Sequence, residues 1–413
     1  MFLASCAANA QTSPPLANDT LRLTLAEARA LAVSANPQLR AQRLALKVAK
    51  AELQQASVFI RANPSVDVLT RGPGTEIGVD QEIEVAGQRG ARRAAATAGV
   101  ERAQARISDT TRLTLAAVDR TYFRLVSANE KALLADESRL LTERLADAAR
   151  RQLEAGKISK LEYNLSAVEQ GRTRARGLSA IRDRERFASE LRELLGLPPA
   201  IPVAPSAAAS LIDEPVRLNV DSLTRIALAQ RPDLRERAAA ARQARGLASV
   251  ARREALPNLN VRVSSERTEG SQGRVLRPGV GLSLPIFNRN NGEVKARNAE
   301  AQMIDLEGLA LASGIRIEIA RAVRAYLSAD GEARLLDSTV LVPARENRRL
   351  LELAYREGKV GLPVVLLIRT QVVDAEAEYW DAWLAAREAI VDLRTAIGDE
   401  FPASARNAET TRK

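Results

Sequence analysis

Acidic and apolar side chains alternate in one short segment, and these acidic residues are the part of the chain whose type and spacing suggest chemistry. Glu76, Asp80 and Glu82 fall on one face of a predicted strand, and Ile77 and Val79 fall on the other. Such carboxylates can be imagined as a metal site. A solvated face explains them without a metal, and the two interpretations differ in what the rest of the chain must supply.

The rest of the chain supplies little for catalysis or metal binding. Its 413 residues include no histidine and a single cysteine. The commonest general base, the Ser-His and Cys-His nucleophile pairs and imidazole ligands are therefore absent from the sequence. No soft-ligand metal site can be assembled either. We predict that the protein is not an enzyme, binds no metal of its own and needs no cofactor.

The single cysteine, Cys6, follows Leu3-Ala4-Ser5, which matches the bacterial lipobox in which a cysteine is cleaved and lipidated. No basic region and no full apolar region precede it, so a chance match is the alternative. We favour lipidation at Cys6, which implies that this sequence begins inside a signal peptide.

The composition favours long helices. Aromatic residues make up 3% of the chain, which is dominated by Ala, Leu and Arg, and the formal net charge is +10. Acidic residues are interleaved with the arginines, which favours solvated helix faces over a phosphate-binding patch. No stretch approaches 18 consecutive apolar residues, so no transmembrane helix is predicted, and a membrane role would have to use strands.

One segment predicts an exceptionally long helix. Residues 90–154 contain no proline, and a continuous helix of that length would extend about 100 Å. Its apolar residues recur at three- and four-residue steps, as in a coiled-coil hairpin. A tight turn at 155–159 and a return helix from about 160 to 195 complete the hairpin. In the second half, Pro343 should kink the corresponding helix and bend the hairpin.

The pattern occurs twice. Arg231-Pro232 repeats Asn36-Pro37, the strand around Gly281 repeats the one around Gly78, and the glycine of the second tight turn repeats that of the first. Landmarks in register indicate a tandem duplication. We expect a leader at 1–20, a first repeat at 21–198 with strands at about 65–71 and 75–85, a linker at 199–216, a second repeat at 217–398 with strands at about 259–267 and 275–285, and a tail at 399–413. We also expect the stretch from Leu21 to Ser34 to be helical.

This arrangement resembles the TolC family of outer-membrane efflux channels over nearly the whole chain. The resemblance implies a mainly α fold with a small β part, in which duplicated helical hairpins form an α-barrel across the periplasm. It implies that four strands per chain contribute to a trimeric, 12-stranded β-barrel in outer-membrane lipid. The expected partners are two further copies of the chain, a periplasmic adaptor protein and an inner-membrane RND-type pump, with no nucleic acid.

The resemblance also assigns roles to residues. The turns would be the periplasmic tips that dock the adaptor, with contacts from Gly156, Lys157, Ile158, Ser159, Gly358, Lys359, Val360 and Gly361. Glu76, Asp80 and Glu82 would line the pore. Members of the family often carry aspartates just after the second tip, but Val364 and Leu367 occupy those places here. Glu162 lies at the equivalent distance from the first tip, where it would be either a ring-forming gate residue or a solvated glutamate.

Two short strings, at 82–89 and 355–359, are most similar to family members that serve cobalt, zinc and cadmium pumps. The sequence therefore predicts a passive outer-membrane conduit of a tripartite efflux system, with heavy-metal cations as a candidate cargo supplied by the pump. The alternative is a cytoplasmic structural coiled-coil protein that binds nucleic acid or partner helices.

Overall fold

The computed structural model describes residues 20–71, 74–206, 218–267, 273–282, 284, 286–357 and 359–398. The protein is mainly helical, with few strands. Its first half contains β1 Leu21–Leu23, α1 Leu25–Ala35, α2 Pro37–Ala56, β2 Ser65–Arg71, β3 Gly74–Ile83, α3 Gln88–Glu154 and α4 Lys160–Leu195. Its second half contains β4 Val203–Pro205, α5 Val220–Gln230, α6 Pro232–Glu254, β5 Leu259–Arg267, β6 Val275–Leu282, α7 Asn291–Leu336, a π-helical turn Asp337–Leu341, α8 Val342–Arg356 and α9 Leu362–Ile397.

The two halves begin with the same helix boundary. Asn36 caps α2, because its side chain accepts hydrogen bonds from the Gln38 and Leu39 amides at 2.9 and 3.1 Å, and Pro37 occupies the first turn. Arg231 and Pro232 occupy the same place before α6, but the arginine side chain does not cap the helix.

The long helix predicted from the sequence is present as α3, which has 67 residues and therefore extends about 100 Å. It ends at a left-handed glycine, Gly156 with φ 68°, and the Lys157 amide donates to the Gln152 carbonyl at 2.8 Å. α4 then returns along α3 and ends at Gly196, which is also left-handed.

The main apolar core lies partway along this hairpin, where α1 and β1 pack against it. Leu125, Leu191, Leu195 and Trp383 are fully buried there. Closer to the sheet, α3 and α6 approach tightly through small side chains. A Cβ on Gly246 would lie 2.7 Å from the backbone of Ala95, so only glycine allows this approach. The alanine-rich composition therefore serves close helix packing.

Four strands form one antiparallel sheet in the order β2-β3-β5-β6. Each repeat contributes one hairpin, and the β3–β5 pairing joins the two repeats. β3 ends at Ile83, two residues before the predicted end, and the next residue, Glu84, pairs with Arg92 at the start of α3. β6 ends at Leu282, also short of the predicted boundary.

One expectation about the start of the first repeat was wrong. The stretch from Leu21 to Ser34 is not helical throughout, because Leu21–Leu23 forms a strand that pairs in parallel with Val203–Pro205. The side chain of Leu23 is buried in the core. α1 begins only after Thr24, which forms a capping box with Glu27. The segment expected as a linker thus contributes a strand.

The second long helix changes its hydrogen-bond pattern beside Pro343. Proline has no amide hydrogen, so the Thr339 carbonyl loses its helical partner, and the preceding residues Asp337–Leu341 form a π-helical turn. The interruption predicted from the sequence is therefore present. The bend of the hairpin toward a central axis stays a prediction.

Candidate functional site

One face of the four-stranded sheet is apolar and exposed. Val66 and Val68 in β2 are 66% and 62% exposed, and Leu276 and Val280 in β6 are 70% and 73% exposed. On the same face, β3 and β5 contribute Ile77, Val79, Val261 and Val263, together with the polar Gln81 and Ser265. A row of large apolar side chains on this scale indicates a surface that contacts lipid or another apolar partner.

The opposite face is polar and centres on Arg262 in β5. Its guanidinium lies 2.6 Å from Asp67, 3.0 Å from Asp80 and 3.6 Å from Glu76. Arg262 therefore links three carboxylates on two strands of the other repeat. Gly78 leaves the space for it, because a Cβ there would lie 2.8 Å from the guanidinium.

The sequence placed Glu76, Asp80 and Glu82 on one face, and the structure brings the first two together around Arg262. Glu82 instead accepts a hydrogen bond from the Asn258 side chain at 2.6 Å. Asp67 and Arg262 were missed as members of this cluster. Each is a charge in the middle of a strand between two valines, which is the signal that could have identified them.

This cluster is an ion-pair network. Across the described ranges, no group of three His, Cys, Asp or Glu side chains is arranged to hold a metal ion. The arrangement fits a solvated polar surface on this face of the sheet.

The tips of the two hairpins lie together. Ile158 in the first turn and Val360 in the second are half-buried against a shared apolar cluster that includes Leu145, Leu351 and Val365. The neighbouring polar residues Lys157, Ser159, Lys359 and Gly361 are exposed. The described tip residues thus divide into an apolar contact between the hairpins and an exposed polar rim, while Gly358 lies outside the described residues.

Glu162 lies on the first turn of α4, where it completes a capping box. Its Oε2 accepts hydrogen bonds from the Ser159 amide and hydroxyl at 2.8 and 3.0 Å. Both bonds lower the pKa of Glu162 below its usual value, and the bond from the Ser159 backbone has the larger effect. Glu162 is half-buried, whereas Val364 and Leu367 at the equivalent end of α9 are exposed. Cys6 lies outside the described residues.

A buried ion-pair cluster around Arg231 connects α6, α7 and α9 in the second repeat. The sequence did not predict this cluster. Arg231 is 5% exposed, and its guanidinium lies 2.7 Å from both Asp233 and Glu318 and donates to the Ala396 carbonyl at 3.0 Å. Burial disfavours the charged form of Asp233, but the hydrogen bonds and positive charges of Arg231, with a further contribution from Arg112, outweigh it and lower the pKa of Asp233.

Several arginines of α4 are paired with acidic side chains. Arg174 pairs with Glu143, Arg176 with Asp374 and Arg186 with Asp183. This pairing gives no support to nucleic-acid binding, which needs unneutralised cations.

None of the helices within the described ranges is both long enough and apolar enough to cross a bilayer.

Comparison with known proteins identifies relatives of this arrangement. Residues 223–399 match the family model described as outer membrane efflux protein. The cobalt-zinc-cadmium resistance protein CzcC of Cupriavidus metallidurans is 27% identical over 370 residues, which cover 86% of this chain and 85% of CzcC.

Solved structures share the fold. The CmeC outer membrane channel of Campylobacter jejuni superposes with a TM-score of 0.74 at 16% identity, over 98% of this chain and 96% of CmeC. The open state of the MtrE outer membrane channel of Neisseria gonorrhoeae gives a TM-score of 0.71 at 20% identity, over 91% of this chain and 89% of MtrE. The similarity extends over both repeats, the sheet and the hairpins.

Proposed function

We propose that the chain is a member of the outer membrane efflux protein family, whose model matches residues 223–399, and that it works as the outer-membrane channel of a tripartite efflux system. Three copies close their sheets into a 12-stranded β-barrel in the outer membrane. Their helical hairpins continue the barrel as an α-barrel through the periplasm. The assembly is a passive conduit that opens and closes without catalysis.

The exposed apolar face of the sheet is the observation that carries this proposal. Val66, Val68 and Val280 face outward, while Arg262 and its carboxylates face the other way, as expected for lipid on one side and a wet lumen on the other. The outer strands β2 and β6 leave open edges, whose unpaired backbone groups are very costly in lipid. Closure by further copies removes those edges.

The hairpin tips dock the periplasmic adaptor, which links the channel to an RND-type pump in the inner membrane. We assign the contact to the eight tip residues predicted from the sequence, with different roles. Ile158 and Val360 hold the two tips together, and the exposed Lys157, Ser159, Lys359 and Gly361 meet the adaptor. Glu162 and the carboxylates Glu76, Asp80 and Glu82 line the conduit.

The N-terminal and connecting segments complete the organisation. We propose a lipid anchor at Cys6 in the leader at 1–20, and repeats at 21–198 and 217–398 joined by the linker at 199–216 and followed by the tail at 399–413. The short pairing of β1 with β4 supports a structural role for the linker beside the middle of the hairpins.

We propose divalent heavy-metal cations as the cargo, on the strength of the similarity to CzcC. The ion-pair network on the polar face of the sheet offers hydrated carboxylates to a passing cation. Selection of the metal therefore falls to the pump and adaptor, and the channel only has to let the ion pass.

Two experiments test this function. Purified protein added to planar lipid bilayers should form channels and should run as a trimer in native gels, and a monomer that forms no channel would refute the conduit.

In cells that lack their own outer-membrane component but express a cobalt-zinc-cadmium adaptor and pump, the chain should restore growth on cadmium. A Lys157→Glu/Lys359→Glu variant should still form channels in bilayers but lose this rescue. Rescue by the double variant would refute tip docking.

A further inference from the structure

The internal duplication fixes how one copy of this chain pairs with the next. We propose that β6 of one copy pairs with β2 of a neighbouring copy in a register set by the pairing of β3 with β5 inside the chain. This inference rests on the proposed trimer and adds what the trimer alone leaves open, namely which residues face each other across the closing seam.

The two β-hairpins correspond to each other residue by residue. Placing Pro64 on Pro257 aligns Val66 with Leu259, and placing Gly78 on Gly281 aligns Val79 with Leu282. In the structure Val66 faces Val79, and Leu259 faces Leu282. The proline and glycine landmarks, which are independent of the strand pairing, therefore give the two hairpins the same register.

The strand pairing between the two repeats is the template for the pairing between copies. β3 of the first repeat lies beside β5 of the second. Under the duplication, β6 is the counterpart of β3, and β2 is the counterpart of β5. An assembly that continues the same arrangement around a closed ring must therefore place β6 beside β2 of the next copy. Both strands lie at open edges of the sheet, and the resulting pairing is antiparallel, like every other pairing in it.

The register inside the chain carries over to the pairing between copies. Inside the chain, Val263 faces Val79, Val261 faces Gln81 and Leu259 faces Ile83. The superposition converts these pairs into Leu282 with Thr70, Leu284 with Val68 and Ile286 with Val66, the second residue of each pair coming from the neighbouring copy.

The exposed side chains agree with this register. Val280, Leu282, Leu284 and Ile286 are all more than half exposed and recur at every second position. The apolar alternation thus continues beyond Leu282, where β6 ends in the single chain and the Ile286 amide donates to the Leu284 carbonyl. A neighbouring β2 would draw these residues into a longer strand, with the apolar residues of both strands on the same face.

Cysteine pairs test the register directly. The double variants Leu284→Cys/Val68→Cys and Leu282→Cys/Thr70→Cys place cysteines opposite each other across the seam, at a separation that a disulfide spans. Because β3 and β5 lie between β2 and β6 within one chain, these bonds can form only between copies. Under mild oxidation in outer membranes, we expect most of the monomer band to shift to dimers and covalent trimers on non-reducing gels.

The same four positions provide matched controls. Leu282→Cys/Val68→Cys and Leu284→Cys/Thr70→Cys are displaced by two residues and should leave the monomer band unchanged. Each single-cysteine variant is the control for cross-links that involve Cys6. Val79→Cys/Val263→Cys, which face each other inside the chain, should form a bond within one copy and prove that thiols in the sheet react.

The outcomes separate this inference from the proposed function. Cross-linking of the displaced pairs in preference to the predicted ones would overturn the register. A second outcome is that the Val79/Val263 pair cross-links and the protein runs as a native trimer, but none of the seam pairs cross-links. This outcome would refute the β6–β2 pairing and leave the proposed channel function unaffected. A protein that runs as a native monomer would refute the trimer itself.

Discussion

Thr142 on α3 and Thr173 on α4 face each other inside the first hairpin, with their hydroxyl oxygens 2.8 Å apart and both side chains buried. Each hydroxyl also lies within hydrogen-bond distance of a carbonyl of its own helix, that of Ser138 or Glu169. The duplication puts Ala344 and Ala375 at the corresponding places of the second hairpin. A polar contact between helices therefore fixes the register of one hairpin and not of the other.

We expect the two threonines to be energetically coupled. Thr142→Val should destabilise the hairpin by about 1 kcal/mol because it leaves the hydroxyl of Thr173 without its cross-helix partner, and the second substitution should add less than the first. Hydrogen exchange of the amides around both residues measures the local opening free energy. Ser138→Ala is the control, since it removes a neighbouring hydroxyl from outside the pair. Strictly additive effects would show that the contact contributes nothing.

Arg231→Asn should destabilise the start of the second repeat. Asparagine is the residue of the first repeat at this position and can cap α6, but it leaves Asp233 and Glu318 without their cation. Removing one partner of a buried ion pair costs about 3–5 kcal/mol, and we expect the lower end because Glu318 is partly exposed. Hydrogen exchange in α6 and at the end of α9 measures the change. Asn36→Ala, which removes only a cap, should cost about 1 kcal/mol in the first repeat.

The stability that the Arg231 cluster contributes should depend on pH. The pKa of Asp233 in the folded protein lies below its unfolded value, which is near 3.8. The stabilisation is therefore fully present above the unfolded value and is lost as the pH falls through the folded one. Protection against hydrogen exchange at the start of α6, measured relative to the intrinsic rate at each pH, should therefore fall in acid below about pH 4. In Arg231→Asn this loss of protection should be smaller, and an equal loss in both proteins would exclude Asp233 as its source.

The sequence predicted the elements that depend on local signals and missed those that depend on distant partners. The absence of proline from 90–154 and the asparagine-proline pair at Asn36 were sufficient to predict α3 and the start of α2. The β1–β4 pairing could not be predicted, because a three-residue strand carries no periodicity and its partner lies far along the chain. The Thr24-x-x-Glu27 capping signal was available and would have moved the start of α1 to Leu25.

The polar face of the sheet shows the same limit. Alternation predicted which residues share a face, but the register across β3 and β5 decides that Arg262 meets Asp80. Charge patterns within one strand contain no information on that register. The tip residues were predicted as one docking surface, and only the packing of the two hairpins against each other separates Ile158 and Val360 from the exposed lysines.

Pro343→Ala should convert the π-helical turn into continuous α-helix. Alanine restores an amide that can donate to the Thr339 carbonyl, so we expect slower hydrogen exchange across 337–343. If the proline bends the hairpin toward the axis, the variant should also change the single-channel conductance in bilayers. Pro363→Ala is the control, because Pro363 occupies the first turn of α9, where proline is tolerated. Unchanged exchange in Pro343→Ala would show that the π-helical turn has another cause.

Glu162→Gln separates the charge of this residue from its capping role. Glutamine at the third helical position can accept the same hydrogen bonds from Ser159, so the hairpin should keep its fold and the channel its open probability. Three copies of Glu162 around the conduit would favour cations, and their neutralisation should therefore move the reversal potential in a salt gradient toward zero. Glu27→Gln is the matched control, because Glu27 forms the same capping box on α1, away from the tips. An unchanged reversal potential in Glu162→Gln would leave the residue as a helix cap only. A shift of the same size in Glu27→Gln would assign the effect to general surface charge, since only Glu162 lies at a tip.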